Sequence, residues 1–582
     1  MVRPWCRGDR VFYALLTAAG LGIVAACSEE RSGGPRGDQP ATDPTIGEDA
    51  PINLSYVCGN RFLILNARSM PVTVSYRVAG SEEERTVSIA AAPLSEPAAT
   101  EYAIETRAPG TVQLFVDNRF VVARENEGVP CTPQIDAASP MASATSGTTG
   151  EWSAPISWPM VAVHMVLLPD GRVLSIGRVG TPQIWNPSSG TFTPSAPPAW
   201  LFCSGHTLLP DGRVLLAGGH ISNDHGLPNT TIFVPATNKW QSSALMKLGR
   251  WYPTTTALGN GDVLILAGRD QAGTQVPLPE IWSNGSIRQL TTASKTLPYY
   301  PRAFLTSKGT VYVAGPSQDT RFLTTTGTGS WKLGPKRLFG SREYGSAVMY
   351  DDNRILYAGG NRTTNTAETL DLNAATPAWK WTGPMAFARR HHNLTVLPTG
   401  EVLATGGVNG TAFDDVTKPV RAAELWNPTS GSWTTLASNA VTRGYHGTSL
   451  LLPDGRVLNA GSGDGAGAPN ERNAEIFSPP YLFRGARPTI AGAPQTVGYG
   501  TQFRLDTPNA SSIAAVALIR LPSVTHAFDE NQRFMRLSFT ADAAGLTVKA
   551  PTESNRAPPG HYMVFILNAS GVPSVAKIVR LS

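Results

Sequence analysis

Between residues 160 and 463 the chain repeats one phrase: a short apolar run, a tight polar turn, then a second apolar run ending in small residues. It reads LLPDGRVLSIG at 167–177, LLPDGRVLLAGG at 208–219, ALGNGDVLILAG at 257–268 and LTSKGTVYVAGP at 305–316. It continues as MYDDNRILYAGG at 349–360, VLPTGEVLATGG at 396–407 and LLPDGRVLNAGSG at 451–463. Most turns are Asp-Gly or Asn-Gly, the two-residue chemistry that closes a β-hairpin. Between these phrases lies another (QIWNPSSGTF, TIFVPATNKW, EIWSNGS, ELWNPTSGSW), which reads as an outer strand turning into an aromatic. Long amphipathic helical patterns are missing, and the chain reads as nearly all β.

The turn residues Gly171, Gly212, Gly261, Gly309, Asn353, Gly400 and Gly455 recur every 41 to 55 residues. Four strands per unit and seven units predict a seven-bladed Kelch-type β-propeller over 151–483; a solenoid is the competitor, but its repeats are usually shorter. Trp152 and its neighbours are expected to add a strand to the last blade. Innermost strands of a propeller line its central channel, so equivalent positions form a ring of side chains. Nine residues before each turn stand Ala162, Cys203, Tyr252, Tyr300, Tyr344, His391 and His446. Six of these seven are Cys, Tyr or His, the side chains that bind metals and carry redox chemistry. Tyr445 precedes His446, so an irregular strand start would let one segment offer two ligands. An aromatic-packed channel holding an inert thiol is the alternative.

The flanks divide further. Arg3, Arg7 and Arg10 precede an apolar stretch, Val11 to Ala26, that is short for a membrane span. Val24-Ala25-Ala26-Cys27 resembles a bacterial lipobox, which would make 1–27 a lipoprotein signal, Cys27 the lipidated terminus and the protein an extracytoplasmic, membrane-anchored one. An ordinary cleaved signal is the other reading. Residues 28–50 are polar and rich in Pro and Gly, a flexible tether. A small β domain is expected over 51–131, a linker over 132–150, and an Ig-like β-sandwich over 484–582. Export implies an oxidising compartment, so Cys58 and Cys131, which bracket the small domain, are expected to pair. Cys203 is left over, a liability unless it is buried or has a task. A charged fraction of only 16% with no Lys/Arg run argues against nucleic-acid or anionic-lipid binding. A monomer is expected.

Four segments carry a resemblance to the copper radical oxidases, the family of galactose oxidase and glyoxal oxidase: FCSGHTLLPDGRVLLAGG, GRWYPTTTALGNGDVLILAG, RGYHGTSLLLPDGRVLNAGSG and ALIRLPSVTHAFDENQR. EIFSPPYLFRGARPTI resembles the family's exit from its propeller. The likeness covers about residues 150–582 and implies copper held by Tyr252, Tyr445, His446 and His526, with His526 delivered on a hairpin of the C-terminal domain. It implies a thioether joining Cys203 to Tyr252 that stabilises a tyrosyl radical, with Tyr445 as axial ligand and base. Copper changes by one electron and alcohol or aldehyde oxidation takes two, so the linked tyrosine would store the second. The implied reaction takes a primary alcohol or small aldehyde and O2 to hydrogen peroxide. Where galactose oxidase stacks a tryptophan on the linked tyrosine, the aligned residue is Asp270, which leaves the shield to another loop, such as His220 to His225. Tyr299-Tyr300-Pro301-Arg302 looks more like the glyoxal oxidase branch, which favours a small aldehyde or simple alcohol over galactose. Tyr300, Arg302, Tyr344 and His391 are candidate substrate contacts; His391 and His392, after Arg389 and Arg390, are read as lining the channel rather than ligating metal. The alternative function is a non-catalytic Kelch propeller that binds glycan or protein at the cell surface.

The lipobox reading predicts that Cys27→Ser moves the mature protein from the detergent phase to the aqueous phase on Triton X-114 partition; an unchanged partition would favour the ordinary cleaved signal.

Overall fold

Alternating apolar positions and hairpin turns along 160–463 give seven antiparallel sheets in chain order, within an architecture that is almost entirely β-sheet and divided into several domains. The computed structural model describes residues 146–582 except 362, 411 and 466–467. It also describes 52–58, 61–66, 71–78, 84–90, 100–105, 111–116 and 119–125, and short strands at 5–6 and 11–12. Cys27 and Cys131, on which the expected lipid anchor and disulfide depend, lie outside the described residues. Two compact units are separable. In Met1–Gln39, strand Trp5–Cys6 pairs antiparallel with Val11–Phe12. Everything else belongs to Pro40–Ser582.

In each of the seven sheets the first strand forms one edge of the four-stranded core: His164–Leu167, Gly205–Leu208, Thr254–Ala257, Arg302–Leu305, Ser346–Asp351, Asn393–Val396 and Gly447–Leu451. These strands are buried along nearly their whole length, and neighbours lie against one another. Gly205–Leu208 touches Thr254–Ala257, which touches Arg302–Leu305. Ser346–Asp351, Asn393–Val396, Gly447–Leu451 and His164–Leu167 form a second unbroken run. Residues from the start of this region complete the last sheet: Trp152 pairs with Phe477 and Ile156 with Ala474.

One buried ion pair recurs from sheet to sheet. Arg250 meets Glu280 at 2.9 Å, Arg342 meets Glu368 at 2.8 Å, Arg389 meets Glu424 at 2.5 Å and Arg443 meets Glu475 at 3.0 Å. Each arginine also donates to a carbonyl at the end of its sheet's second strand or just beyond it, namely Ala267, Gly359, Gly406 and Gly461. Burying such charges is costly unless they are paired, and each arginine combines its ion pair with a backbone carbonyl, so each pair fixes the path of the segment that leads into the first strand.

The C-terminal region holds two sheets around one core, with Phe503, Leu505, Leu546 and Val548 facing Val516, Leu518, Val564 and Ile566. Strand Gly560–Asn568 is shared. Tyr562, Val564 and Ile566 enter this core, whereas Met563, Phe565 and Leu567 enter the core of the seven-sheet region. Period-two alternation thus welds the two regions through one strand. The hairpin of Ser523–Thr525 and Phe528–Asp529 leaves this wall and pairs with His164–Leu167, Val166 opposite Ser523 and His164 opposite Thr525. It also touches Gly205–Leu208, Gly447–Leu451, Ser346–Asp351 and Asn393–Val396. The N-terminal strands form two further sheets over a core of Leu54, Phe62, Ile64, Val74, Val112 and Leu114.

Glu424→Ala leaves the Arg389 charge buried without its partner and is expected to cost about 3–5 kcal/mol, read as a lower urea midpoint. The double change Arg389→Met with Glu424→Met is expected to recover most of it; an unchanged midpoint in the single variant would refute the role given to the pair.

Candidate active site

The six chemistry-bearing residues of the repeated slot share one backbone property. Cys203, Tyr252, Tyr300, Tyr344, His391 and His446 all have positive φ, from 42 to 66 degrees, a region that costs a non-glycine residue about 1–2 kcal/mol. Ala162, the seventh, does not. Most of them lie two residues before the first strand, not within it, and the left-handed turn points their peptide groups sideways toward the neighbouring sheets. Tyr252 N–H donates to the Cys203 carbonyl at 3.0 Å, Tyr300 N–H to the Tyr252 carbonyl at 3.2 Å, and His391 N–H to the Tyr344 carbonyl at 2.8 Å. The strain is offset by bonds that tie one sheet to the next.

The same kink at His446 brings two neighbours onto one side, and the rings of Tyr445 and His446 stack at 3.8 Å. A Cβ on Gly465 would stand 2.7 Å from the Tyr445 ring, so this position requires glycine. His526 sits with Ala527 in a two-residue turn at the tip of the hairpin. Both have positive φ, the geometry of a type I′ hairpin. Arg302 donates to the carbonyls of His526, at 3.1 Å, Gly345 and Tyr300. It is buried and lies over the Phe528 ring. Its guanidinium thus fastens the hairpin tip to the neighbouring backbone. Tyr300 likewise stacks on His526 at 4.4 Å and donates its hydroxyl to the Ser204 carbonyl.

His446 and His526 meet edge to face at 4.7 Å, with Tyr252 4.6 Å from His526 and its hydroxyl hydrogen-bonded to that of Tyr445. His446 Nδ1–H donates to the Gly463 carbonyl at 2.6 Å. The Thr525 hydroxyl gives its proton to the Val163 carbonyl, so it accepts from His526 Nδ1–H at 2.6 Å. Both imidazoles are therefore Nδ1–H tautomers with the lone pair on Nε2, and among the described residues neither Nε2 has a partner. Burial pushes the His446 pKa down to about 3 and that of His526 well below its ordinary value, so both lone pairs stay bare at neutral pH. Burial, reinforced by neighbouring thiol and phenol groups, pushes Tyr252 and Tyr445 up. Both phenols stay protonated unless positive charge enters the site. Among the described residues no three His, Cys, Asp or Glu side chains gather to hold a metal; the donors here are two imidazoles and two phenols. Nitrogen and oxygen donors of this kind suit Cu(II).

Cys203 is fully buried in one apolar cluster with Tyr252, Tyr300 and Trp251, and its N–H donates to His164 Nε2 at 3.1 Å. His164 then donates from Nδ1 to His206 Nε2 at 3.0 Å, and His206 donates to the Ser523 hydroxyl at 2.5 Å. This relay, which one slot per repeat could not reveal, links the Cys203 backbone to the hairpin that carries His526. The shield over Tyr252 is Trp251, stacked at 3.7 Å and 11 degrees. Its Nε1–H donates to His220 Nδ1 at 2.9 Å. The loop at 220–225 therefore holds the shield without supplying it, and the Asp270 carboxylate caps its own turn. The sequence signal was the Trp251-Tyr252 pair itself. Tyr344 and His391 flank Tyr445 at 5.6 and 5.3 Å. His391 Nε2–H is taken by the Phe413 carbonyl at 2.6 Å.

The chain is similar in sequence and fold to proteins already known. The glyoxal oxidase N-terminus family matches residues 361–481, and the galactose oxidase-like early set domain matches 487–581. A galactose oxidase of Gibberella zeae is 29% identical over 80% of this chain and 76% of its own. An aldehyde oxidase, GLOX, of Vitis pseudoreticulata is 30% identical over 65% of this chain and 82% of its own. A fungal alcohol oxidase of the AA5 family, solved with copper, shares the fold at a TM-score of 0.69 over 75% of this chain and all of its own, with 24% identity.

Glu530, behind the hairpin, accepts from Thr255 and His206 through Oε2, and burial raises its pKa to about 8. A raised folded pKa adds stability that is full below the unfolded value and lost as pH rises through about 8. Glu530→Gln is therefore expected to flatten the fall in urea midpoint between pH 5 and 9; a parallel fall in both proteins would refute it.

Proposed function

The chain belongs to the galactose oxidase and glyoxal oxidase superfamily of copper radical oxidases, and from that premise we propose that it oxidises a primary alcohol or small aldehyde with O2, releasing hydrogen peroxide. The observation that carries this reading is the meeting of two bare imidazole lone pairs with two hydrogen-bonded phenols beside Cys203. His446, His526, Tyr252 and Tyr445 would hold copper, which supplies one-electron redox chemistry when bound. Tyr252, linked through a thioether to Cys203, holds the second electron equivalent and takes the hydrogen atom from the substrate carbon. Tyr445 takes the hydroxyl proton. Tyr344 stands edge-on to the Tyr445 ring at 5.6 Å and is itself only half-buried. Trp251 excludes water from one face of Tyr252.

The same reading takes the seven sheets as blades of a closed propeller. It is supported by the contacts between first strands and by the pairing of Trp152 with the last sheet. The two C-terminal sheets around one core are read as an Ig-like sandwich, and the lipobox supports an extracytoplasmic lipoprotein.

Peptide mass spectrometry of copper-loaded, aerated protein is expected to yield Cys203 and Tyr252 peptides joined and two hydrogens light. Cys203→Ser is expected to lose the link and nearly all peroxide release with primary alcohols and aldehydes. A titratable thiol on Cys203 after copper and O2 would overturn the reading.

A further inference from the structure

Between neighbouring sheets one hydrogen bond recurs. A left-handed residue donates its N–H to the carbonyl of the left-handed residue in the sheet before it: Tyr252 to Cys203, Tyr300 to Tyr252 and His391 to Tyr344. At Cys203 this series breaks. The equivalent residue of the preceding sheet is Ala162, which is not left-handed and whose carbonyl accepts from the Thr448 hydroxyl at 2.9 Å. The Cys203 N–H goes instead to His164 Nε2 at 3.1 Å. A backbone N–H can only donate, so His164 carries its proton on Nδ1 and gives it to His206 Nε2 at 3.0 Å. His206 then donates from Nδ1 to the Ser523 oxygen at 2.5 Å, and the Ser523 proton is taken by the His206 carbonyl at 2.9 Å. Both rings are wholly buried. Packing alone would accept either tautomer of each ring; here every member fixes the next.

We propose that Ser523, His206 and His164 are positioning residues, a tautomer chain through which the hairpin carrying His526 sets the Cys203 turn for linkage to Tyr252. The inference rests on the thioether proposed above. In that step the Cys203 thiol and one ring C–H of Tyr252 each lose a hydrogen, a C–S bond forms, and O2 takes both hydrogens as hydrogen peroxide. Thiol and ring come from different sheets, so the reaction needs the left-handed turn at Cys203 held still. Without the Ser523 hydroxyl, the His206 Nδ1–H is left buried and unpaired. Moving that proton to Nε2 sets it against the His164 Nδ1–H, and a second shift sets a His164 Nε2–H against the Cys203 N–H. The turn then has no acceptor. Ser523 also begins the hairpin strand that pairs with His164–Leu167, so the same contact that seats His526 readies the thiol.

The test gives copper-free, full-length protein saturating Cu(II) and air, and quantifies the linked Cys203–Tyr252 peptide pair over time by mass spectrometry. Ser523→Ala and His164→Leu are each expected to slow linking about tenfold or more. His164→Gln puts an amide oxygen where Nε2 stood, an acceptor that no tautomer can remove. It is expected to link within about threefold of the parent rate, and so is Ser523→Ala combined with His164→Gln. A double variant as slow as Ser523→Ala would reduce the effect to hairpin packing and overturn the chain, as would parent-rate linking in Ser523→Ala. Copper-free parent protein labelled with 15N-histidine is expected to show His164 and His206 protonated at Nδ1. A proton on Nε2 of either would overturn the chain without any variant and leave the proposed function intact. A parent that stays unlinked under copper and O2 would overturn the proposed function and the chain with it.

Discussion

The left-handed residue just ahead of the first strand in six of the seven sheets is the constraint on which the site depends. In a regular strand, successive side chains would alternate faces and no single segment could turn two donors to one point. The positive φ at Cys203, Tyr252, Tyr300, Tyr344, His391 and His446 breaks that alternation and frees peptide groups to bond across to the neighbouring sheet. None of the six is glycine, so each carries strain that the surroundings must hold. Buried Arg–Glu pairs provide part of that hold: Arg250, Arg342 and Arg389 each stand two residues before a left-handed residue, and Arg443 stands three before.

The second requirement is electrical neutrality. The centre contains His446, His526, His164 and His206 in a space that excludes water, and burial lowers the pKa of all four. Neutral imidazoles there can serve only as a donor at one nitrogen and an acceptor at the other. The outward Nδ1–H bonds of His446 and His526 to a carbonyl and a hydroxyl settle which nitrogen faces inward. The protein thus aims two lone pairs at one point, where a cation would also let the adjoining phenols ionise.

His526 comes from a different region, and its placement is a matter of rigidity. Strand Gly560–Asn568 contributes alternate residues to two cores, so the C-terminal sheets cannot shift without disturbing the seven-sheet region. From this wall the hairpin of Ser523–Thr525 and Phe528–Asp529 pairs with His164–Leu167, and Arg302 fastens its tip. A side chain at the end of a long lever is held as firmly as one rooted in a sheet.

Repeat number, strand polarity and the recurring slot of Cys, Tyr and His were legible in the sequence, because turn chemistry and period-two alternation are local properties that repeat in register. The surplus thiol and the Tyr445-His446 pair were legible for the same reason. The left-handed backbone was not, since Cys, Tyr and His carry no propensity for it and adopt it only where neighbouring sheets accept their peptide hydrogen bonds. Trp251 as the shield, Arg302 as the clasp on His526, the turn at His526-Ala527 and the tautomers of the histidines were decided by tertiary structure. Each depends on groups distant in the chain being brought within a few ångströms, and no local pattern encodes that distance.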